Sequence, residues 1–557
     1  MNSLLSWRPT ELPGSWASTH GWTSARVLAV VAILIVAAYA VLESRYAVAR
    51  LSAAASRITR RVLLVVLGIS AVLAVATYLD FGVFRYGSYL NEWDFYHYYV
   101  GTKYAPELGY TNLYGATLAA DREAGLRYHH PRGEIRDLAT AQIRDVASVT
   151  AEAERYRNRF SPARWREFVA DITWFKTQLP ENRWSLILAD HGYNGTPAWS
   201  FVVGGLITRH LSVHSPAGRW LMLLLDPLLL VGAVVAVAWA FGVRAALLVV
   251  VFVGTHYLLS WGHLKGALLR TDFAMCSLVA VCLVKKERHK IAGALLGWAI
   301  LSRVFPAFLL IGPAVLLAQG WWRTHRLDRQ LLGLFASCAL TVGIVVLGSC
   351  VYFGGTEIWH EWSGKIALHY AGGSDWDLGY RTAAEAVFFH GVPVRGAGLA
   401  QVAGQETASS LHLAAIVVLL LLTLPALTFV RALHHHEAVG YGFVFVFLFS
   451  LAAYYYYLIL CVPLVFFASD LGKPQHALGA AFMFFTGLAG YVLFSGWNPL
   501  GQSWAVLRGW HQSFPTYYFM SCLVAVTVVQ MIVIAGARAR RLERPAELVG
   551  AGRLPRS

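Results

Sequence analysis

Charge is scarce in this chain. Asp, Glu, Lys and Arg make up only 14% of the 557 residues, so the sequence lacks the solvated surface that a soluble protein of this length carries. Acids are scarcer than bases, 31 against 46, but the basic residues stand in short clusters between apolar runs, where membrane topology signals belong. Nucleic acid is therefore not an expected partner. Cysteine is also sparse: Cys276, Cys282, Cys338, Cys350, Cys461 and Cys522 lie in or beside apolar segments without paired spacing, which excludes a disulfide framework and a cysteine zinc site. No Walker loop, dinucleotide fingerprint, nucleophile elbow or zincin helix occurs, so a nucleotide-sugar donor is not suggested, and the outer loops have no obvious second acid cluster to make a divalent metal obligatory. The polar N-terminus lacks a basic stretch leading into an apolar run with a small-residue cleavage site, so a cleaved signal peptide is not expected.

Hydrophobic residues are abundant, at 57%, and occur in long runs at roughly 27–43, 62–80, 219–241, 243–262, 271–285, 291–318, 331–352, 410–431, 438–468, 476–494 and 516–536. Most approach the roughly 20 residues that a spanning helix needs. Two are long enough to fold as helical pairs, with Pro306 breaking 291–318 and the run Tyr454 to Tyr457 breaking 438–468. The expected architecture is an all-α polytopic membrane protein with about thirteen crossings.

The basic clusters orient it. Arg45, Arg50, Arg57, Arg60 and Arg61, then Lys285, Lys286, Arg288 and Lys290, then Arg323, Arg326 and Arg329, and finally Arg538, Arg540, Arg541 and Arg544 all fall inside in one topology. It puts the N-terminus and the loops 81–197, 353–409 and 495–515 outside and the C-terminus inside. The run 199–211 spans about 20 Å as a helix and is expected to be re-entrant or interfacial, not spanning. Residues 1–61 form an N-terminal segment with a basic loop, 62–352 a core that includes the large loop, 353–409 a second outer loop, 410–536 further membrane helices and 537–557 a basic tail.

A loop of about 115 residues needs a structural reason. Residues 135–158 and 162–177 have apolar positions at three- and four-residue steps and are expected to form amphipathic helices, the second opened by Pro162. The densest chemistry follows the second membrane segment: Asn91-Glu92-Trp93-Asp94-Phe95-Tyr96-His97-Tyr98-Tyr99. A carboxylate desolvated among aromatics gains basicity and suits proton abstraction from a hydroxyl. The same residues read otherwise as an interfacial aromatic belt with two solvated acids.

The helix followed by WDFYHYY and then GYTNLY resembles the first outer loop of the GT-C superfamily of glycosyltransferases, which use polyprenyl-phosphate sugars. Within it, the chain is most similar to the bacterial polyprenyl-phosphomannose-dependent mannosyltransferases of phosphatidylinositol mannoside synthesis. YNGTPAWSFVVGGLITRHL at 193–211, residues 270–306 with an AGALLG helix and an Arg-x-x-Pro ending, and YYYYLILCVPLVFF at 454–467 are similar to further segments of that family. An extra N-terminal membrane segment and the length of the outer loop depart from its pattern.

The resemblance implies a GT-C-like bundle and hexosyl transfer, with inversion, from a polyprenyl-phosphate donor to a lipid, glycan or protein hydroxyl at the outer face of the cell envelope. Asp94 would be the general base and Glu92 its partner or substitute. Tyr96, His97, Tyr98 and Tyr99 would form an aromatic wall for the acceptor. By charge and outer placement, Lys265, Arg270, Arg303, Lys365, His369 and Arg381 are the cations available to the donor phosphate. Asp272 is expected to neutralise Arg270, and His434, His435 and His436 to lie in a solvated cytoplasmic turn. The competing class is a secondary transporter or lipid flippase, in which broken helices and midplane charges mark a path.

Overall fold

The computed structural model describes residues 14–44, 49–82, 89–259, 264–372, 377–388, 405–507 and 515–551. The protein is an all-α multi-pass membrane protein. Among the described residues, eight helices are long and apolar enough to cross a bilayer: Trp22–Leu42, Ala53–Tyr78, Pro216–Phe241, Phe305–Thr324, Arg329–Phe353, Ser410–Ala432, Pro474–Leu493 and Thr516–Leu542. Shorter rods complete the bundle, among them Val243–Thr255, Asp272–Lys285, His289–Ser302 and Tyr454–Ala468.

Both long apolar runs break as their sequences demand. The helix His289–Ser302 ends at Arg303, whose backbone is extended, and a tight 3-10 turn carrying Pro306 starts the return. The run 438–468 is interrupted by extended residues Ala452–Ala453, which pair antiparallel with Asp377–Leu378 before Tyr454–Leu460 winds as a 3-10 turn. In lipid there is little hydrophobic drive between helices, so close packing decides which rods meet. His289–Ser302 packs against Arg329–Phe353 through the AGALLG stretch: a Cβ at Gly293 would lie 2.1 Å from the Leu334 carbonyl oxygen.

Contacts divide the bundle into two ends. At one, Lys265 sits over the Tyr78 ring and Tyr257 packs on Tyr491, beside the large loop. At the other, Arg244 pairs with Glu43, Lys285 lies over Phe241, His435 with Asp328, and Arg538 with Glu437. The basic clusters at 285–290, 323–329 and 538–541 thus share one end, and the acid-and-aromatic stretch of the loop faces the other.

The loop 81–197 is a folded cap with its own core of Tyr104, Phe160, Trp165, Phe168, Phe175 and Trp184. Pro162–Gln178 is the expected helix, with Ser161 capping it and Pro162 in its first turn. Residues 135–158 differ from expectation. Glu134–Arg136 and Ile143–Asp145 form a two-stranded hairpin, followed by two short helices, Val146–Thr150 and Ala153–Arg157. The Asp145 side chain caps the first of these, so helix begins only there. Pro197–Thr208 is a short apolar helix, wound mostly as π-helix.

Candidate functional site

The turn that carries Asp94 is built by Asn91. Its side-chain oxygen accepts from the Asp94 amide at 3.2 Å and starts the short helix Glu92–Phe95, and its own amide donates to the Gly266 carbonyl at 2.9 Å. Gly266 has φ +66°, and a Cβ there would lie 1.6 Å from the Tyr89 carbonyl oxygen, so only glycine admits this approach. The contact locks the turn 264–271 onto the start of the cap. As a result, Arg270 Nε lies 3.4 Å from Asp94 Oδ2, with both residues buried.

Asp226 sets the other side of that turn. It is buried inside an apolar helix and accepts from the Arg270 and Thr271 amides at 2.8 Å each and from the Thr271 hydroxyl at 2.5 Å. Sequence reasoning passed over Asp226, although an acid inside a membrane segment was the available signal. Asp272 does not neutralise Arg270. Its carboxylate accepts from Trp199 and Trp298 at 3.1 Å and from Ser302 at 2.7 Å, which pins Pro197–Trp199 against the end of His289–Ser302. Arg270 turns instead to Asp94.

Tyr98, one helical turn beyond Asp94, joins two cations. The Arg270 guanidinium carbon stands 3.9 Å from the centre of its ring, and Arg303 is 5.6 Å from the same centre while donating to the hydroxyl at 3.4 Å. Tyr456 flanks both, 5.8 Å from Arg270 and 5.4 Å from Arg303. Tyr455 lies 5.4 Å from Arg270. Two like charges are thus held in one buried aromatic enclosure, and Arg270 Nε and Nη1, Arg303 Nε and Asp94 Oδ2 have no hydrogen-bond partner. A buried charged group left unmatched costs more than the roughly 1–3 kcal/mol of a neutral one. Such an arrangement is matched by an anion offering several acceptor oxygens, as a phosphate does.

Burial pushes the Asp94 carboxyl up to about 6, against the opposing pull of Arg270 and Arg303. It is ionised at neutral pH yet far more basic than an exposed aspartate, as a proton acceptor must be. Glu92 opens the same turn and is buried.

The aromatic stretch divides by direction. Tyr98 alone of the four aromatic-wall residues touches the arginine pair. Tyr96 hydrogen-bonds Thr117 at 2.7 Å and packs on Phe175 and Trp184 in the cap core. Tyr99 accepts from Lys103, which pairs with Asp171 at 2.7 Å. His97 bridges the Trp93 carbonyl and the Tyr114 hydroxyl, each at 2.8 Å, and its ring lies 4.0 Å from Asp190. Trp93, half-buried beside Asp94, donates to Asp190 at 2.9 Å.

Of the remaining cations, Lys265 pairs with Asp80 at 3.1 Å. Lys365, on the helix Glu357–Gly372, donates to the Tyr193 carbonyl at 2.6 Å, and burial pushes it down to about 7. Its place is in holding the second outer segment against the cap, together with Glu361, which accepts from the Tyr110 and Thr111 amides. Arg381 pairs with Glu385 at 3.2 Å, and the side chain of His369 lies outside the described residues.

Comparison with protein-family models, with curated proteins and with solved structures finds no match to this chain.

Proposed function

We propose that the protein is a membrane glycosyltransferase of GT-C type that moves a hexose from a polyprenyl-phosphate donor to an acceptor hydroxyl. The observation that carries this reading is a basic, buried Asp94 within 3.4 Å of Arg270, which shares an aromatic enclosure with Arg303 and, like it, keeps hydrogen-bonding capacity in reserve at Arg270 Nη1 and Arg303 Nε. A base for the nucleophile and cations for the leaving group, side by side at a membrane exit, are what transfer from a lipid phosphate requires.

In the proposed reaction, Asp94 takes the acceptor hydroxyl proton as that oxygen forms a bond to the anomeric carbon. The bond from that carbon to the phosphate oxygen breaks on the opposite face, so configuration inverts through an oxocarbenium-like state. The electron pair leaves with the phosphate, where Arg270 and Arg303 match the growing charge. Glu92 stands in reserve as an alternative acid, whereas Lys265, Lys365 and Arg381 are engaged elsewhere, with Asp80, Tyr193 and Glu385. No metal enters the scheme.

The proposed site faces the periplasmic or extracellular side of the cell membrane, a reading supported by the basic clusters at the opposite end of the bundle. Membranes containing the protein, given radiolabelled polyprenyl-phosphate hexoses, should transfer label to an endogenous lipid, glycan or protein. Label left on every donor tested, with the protein folded, would reject the donor class. A transporter would instead move a lipid across vesicles and leave its glycosidic bond intact.

A further inference from the structure

The end of the bundle opposite Asp94 carries a separate cleft of about 780 Å³. One wall is apolar, formed by Leu316, Leu317 and Gly320 of a helix that leaves much of its surface facing outward, Trp322 being 78% exposed. The facing wall is polar, with Lys285, Arg326 and the run His434 to His436. These histidines are not merely the solvated turn expected from sequence: His435 and His436 are half-buried, and they begin a helix.

The floor is held rigidly. Asp328 accepts from two backbone amides at the start of Arg329–Phe353 and lies 3.3 Å from His435 Nε2, while His435 Nδ1 shares a 3.0 Å hydrogen bond with His289 Nε2. Asp328 is therefore already engaged, and the acid left in the lining is Glu287, exposed at the rim. Neither Lys285 nor Arg326 is within ion-pair distance of a carboxylate among the described residues.

We propose that this cleft binds an anionic membrane lipid, with its phosphate at Lys285 and Arg326 and its acyl chain along Leu316 and Leu317. Three observations agree. The lining is amphiphilic, the apolar wall runs onto a lipid-facing helix, and the cleft lies at the end where basic clusters gather, which faces the anionic cytoplasmic leaflet. This inference does not depend on the reading of Asp94.

Three variants of the full-length protein in detergent test it. Lys285→Gln with Arg326→Gln removes both cations. Gly320→Leu fills the cleft without changing charge; a side chain begun there meets nothing within 4 Å, and leucine is the better helix former. Arg323→Gln is a charge control outside the lining. Thermal unfolding with phosphatidylglycerol, set against phosphatidylcholine, is the readout. Phosphatidylglycerol should raise the Tm of the wild type and of Arg323→Gln, and should do so for neither cleft variant. The double variant should bind it about 30-fold more weakly, taking each basic side chain near an anionic surface as about 1 kcal/mol. An equal shift in all variants, or no preference between the lipids, would overturn the site. An equal shift with water-soluble glycerol phosphate would overturn the lipid assignment. If the double variant does not fold, Gly320→Leu decides.

Discussion

Asp94 has two pressures on its proton: burial drives its pKa upward and the guanidinium of Arg270 holds it down, with the balance at about 6. The base form is the active one, so kcat/KM should fall about tenfold per unit as pH drops below about 6 and level off above it. Arg270→Gln removes the largest opposing influence, so the acid limb should move to higher pH in addition to any loss of donor affinity. A profile without an acid limb near 6 would place the base elsewhere. Arg303 stands farther from Asp94's role and nearer the donor's. Arg303→Gln should weaken binding of a polyprenyl phosphate by about tenfold or more, the scale of a charge-assisted contact, while Lys365→Gln should change it little because Lys365 is tied to Tyr193. Direct binding to detergent-solubilised protein separates the two. The density of acids and aromatics at 91–99 was legible in the sequence, but the direction of each ring was not. Tyr96 and Tyr98 are two residues apart, yet one faces Trp184 in the cap and the other faces Arg270. Helical winding turns residues two apart to nearly opposite faces, but what each face meets, here along the π-helical turn Tyr96–Val100, is not written in the local sequence.

At the scale of elements, the long apolar helices followed from hydropathy, because the bilayer fixes helix length, and the two breaks from Pro306 and from the tyrosine run beginning at Tyr454. The hairpin at 134–145 was not visible, since its three-residue strands are shorter than any window in which a period of two stands out from helical spacing. The turn 264–271 was equally opaque. It acts through backbone contacts, with Gly266 against Tyr89 on one side and Asp226 against Thr271 on the other. Gly266→Ala should therefore abolish transfer while the chain still inserts, because a Cβ 1.6 Å from a carbonyl forces the turn away from the cap and separates Arg270 from Asp94. Full activity in Gly266→Ala would show that the turn is free to move. Asp226→Asn should act through the same turn more mildly, leaving one acceptor oxygen for the three donors.

At the scale of the whole molecule, the sequence expectation of one topology and the contacts within the bundle agree that the basic clusters and the loop site occupy opposite ends. Single cysteines at Glu154 in the cap and at Arg326 in the basic end, in a chain whose six native thiols are replaced, should label oppositely with a membrane-impermeant maleimide. Glu154→Cys should react in intact cells and Arg326→Cys only after lysis. Labelling of both from one side would contradict the division.

The most direct test of the central claim is transfer of label from a polyprenyl-phosphate hexose by purified wild type, Asp94→Asn and Glu92→Gln, with donor binding measured on the same preparations. If Asp94 is the base, Asp94→Asn should retain donor binding and lose transfer by at least a hundredfold, at the lower end of what a positioned base contributes. Glu92→Gln should keep most of the activity. Undiminished transfer by Asp94→Asn, or a loss confined to Glu92→Gln, would contradict the assignment.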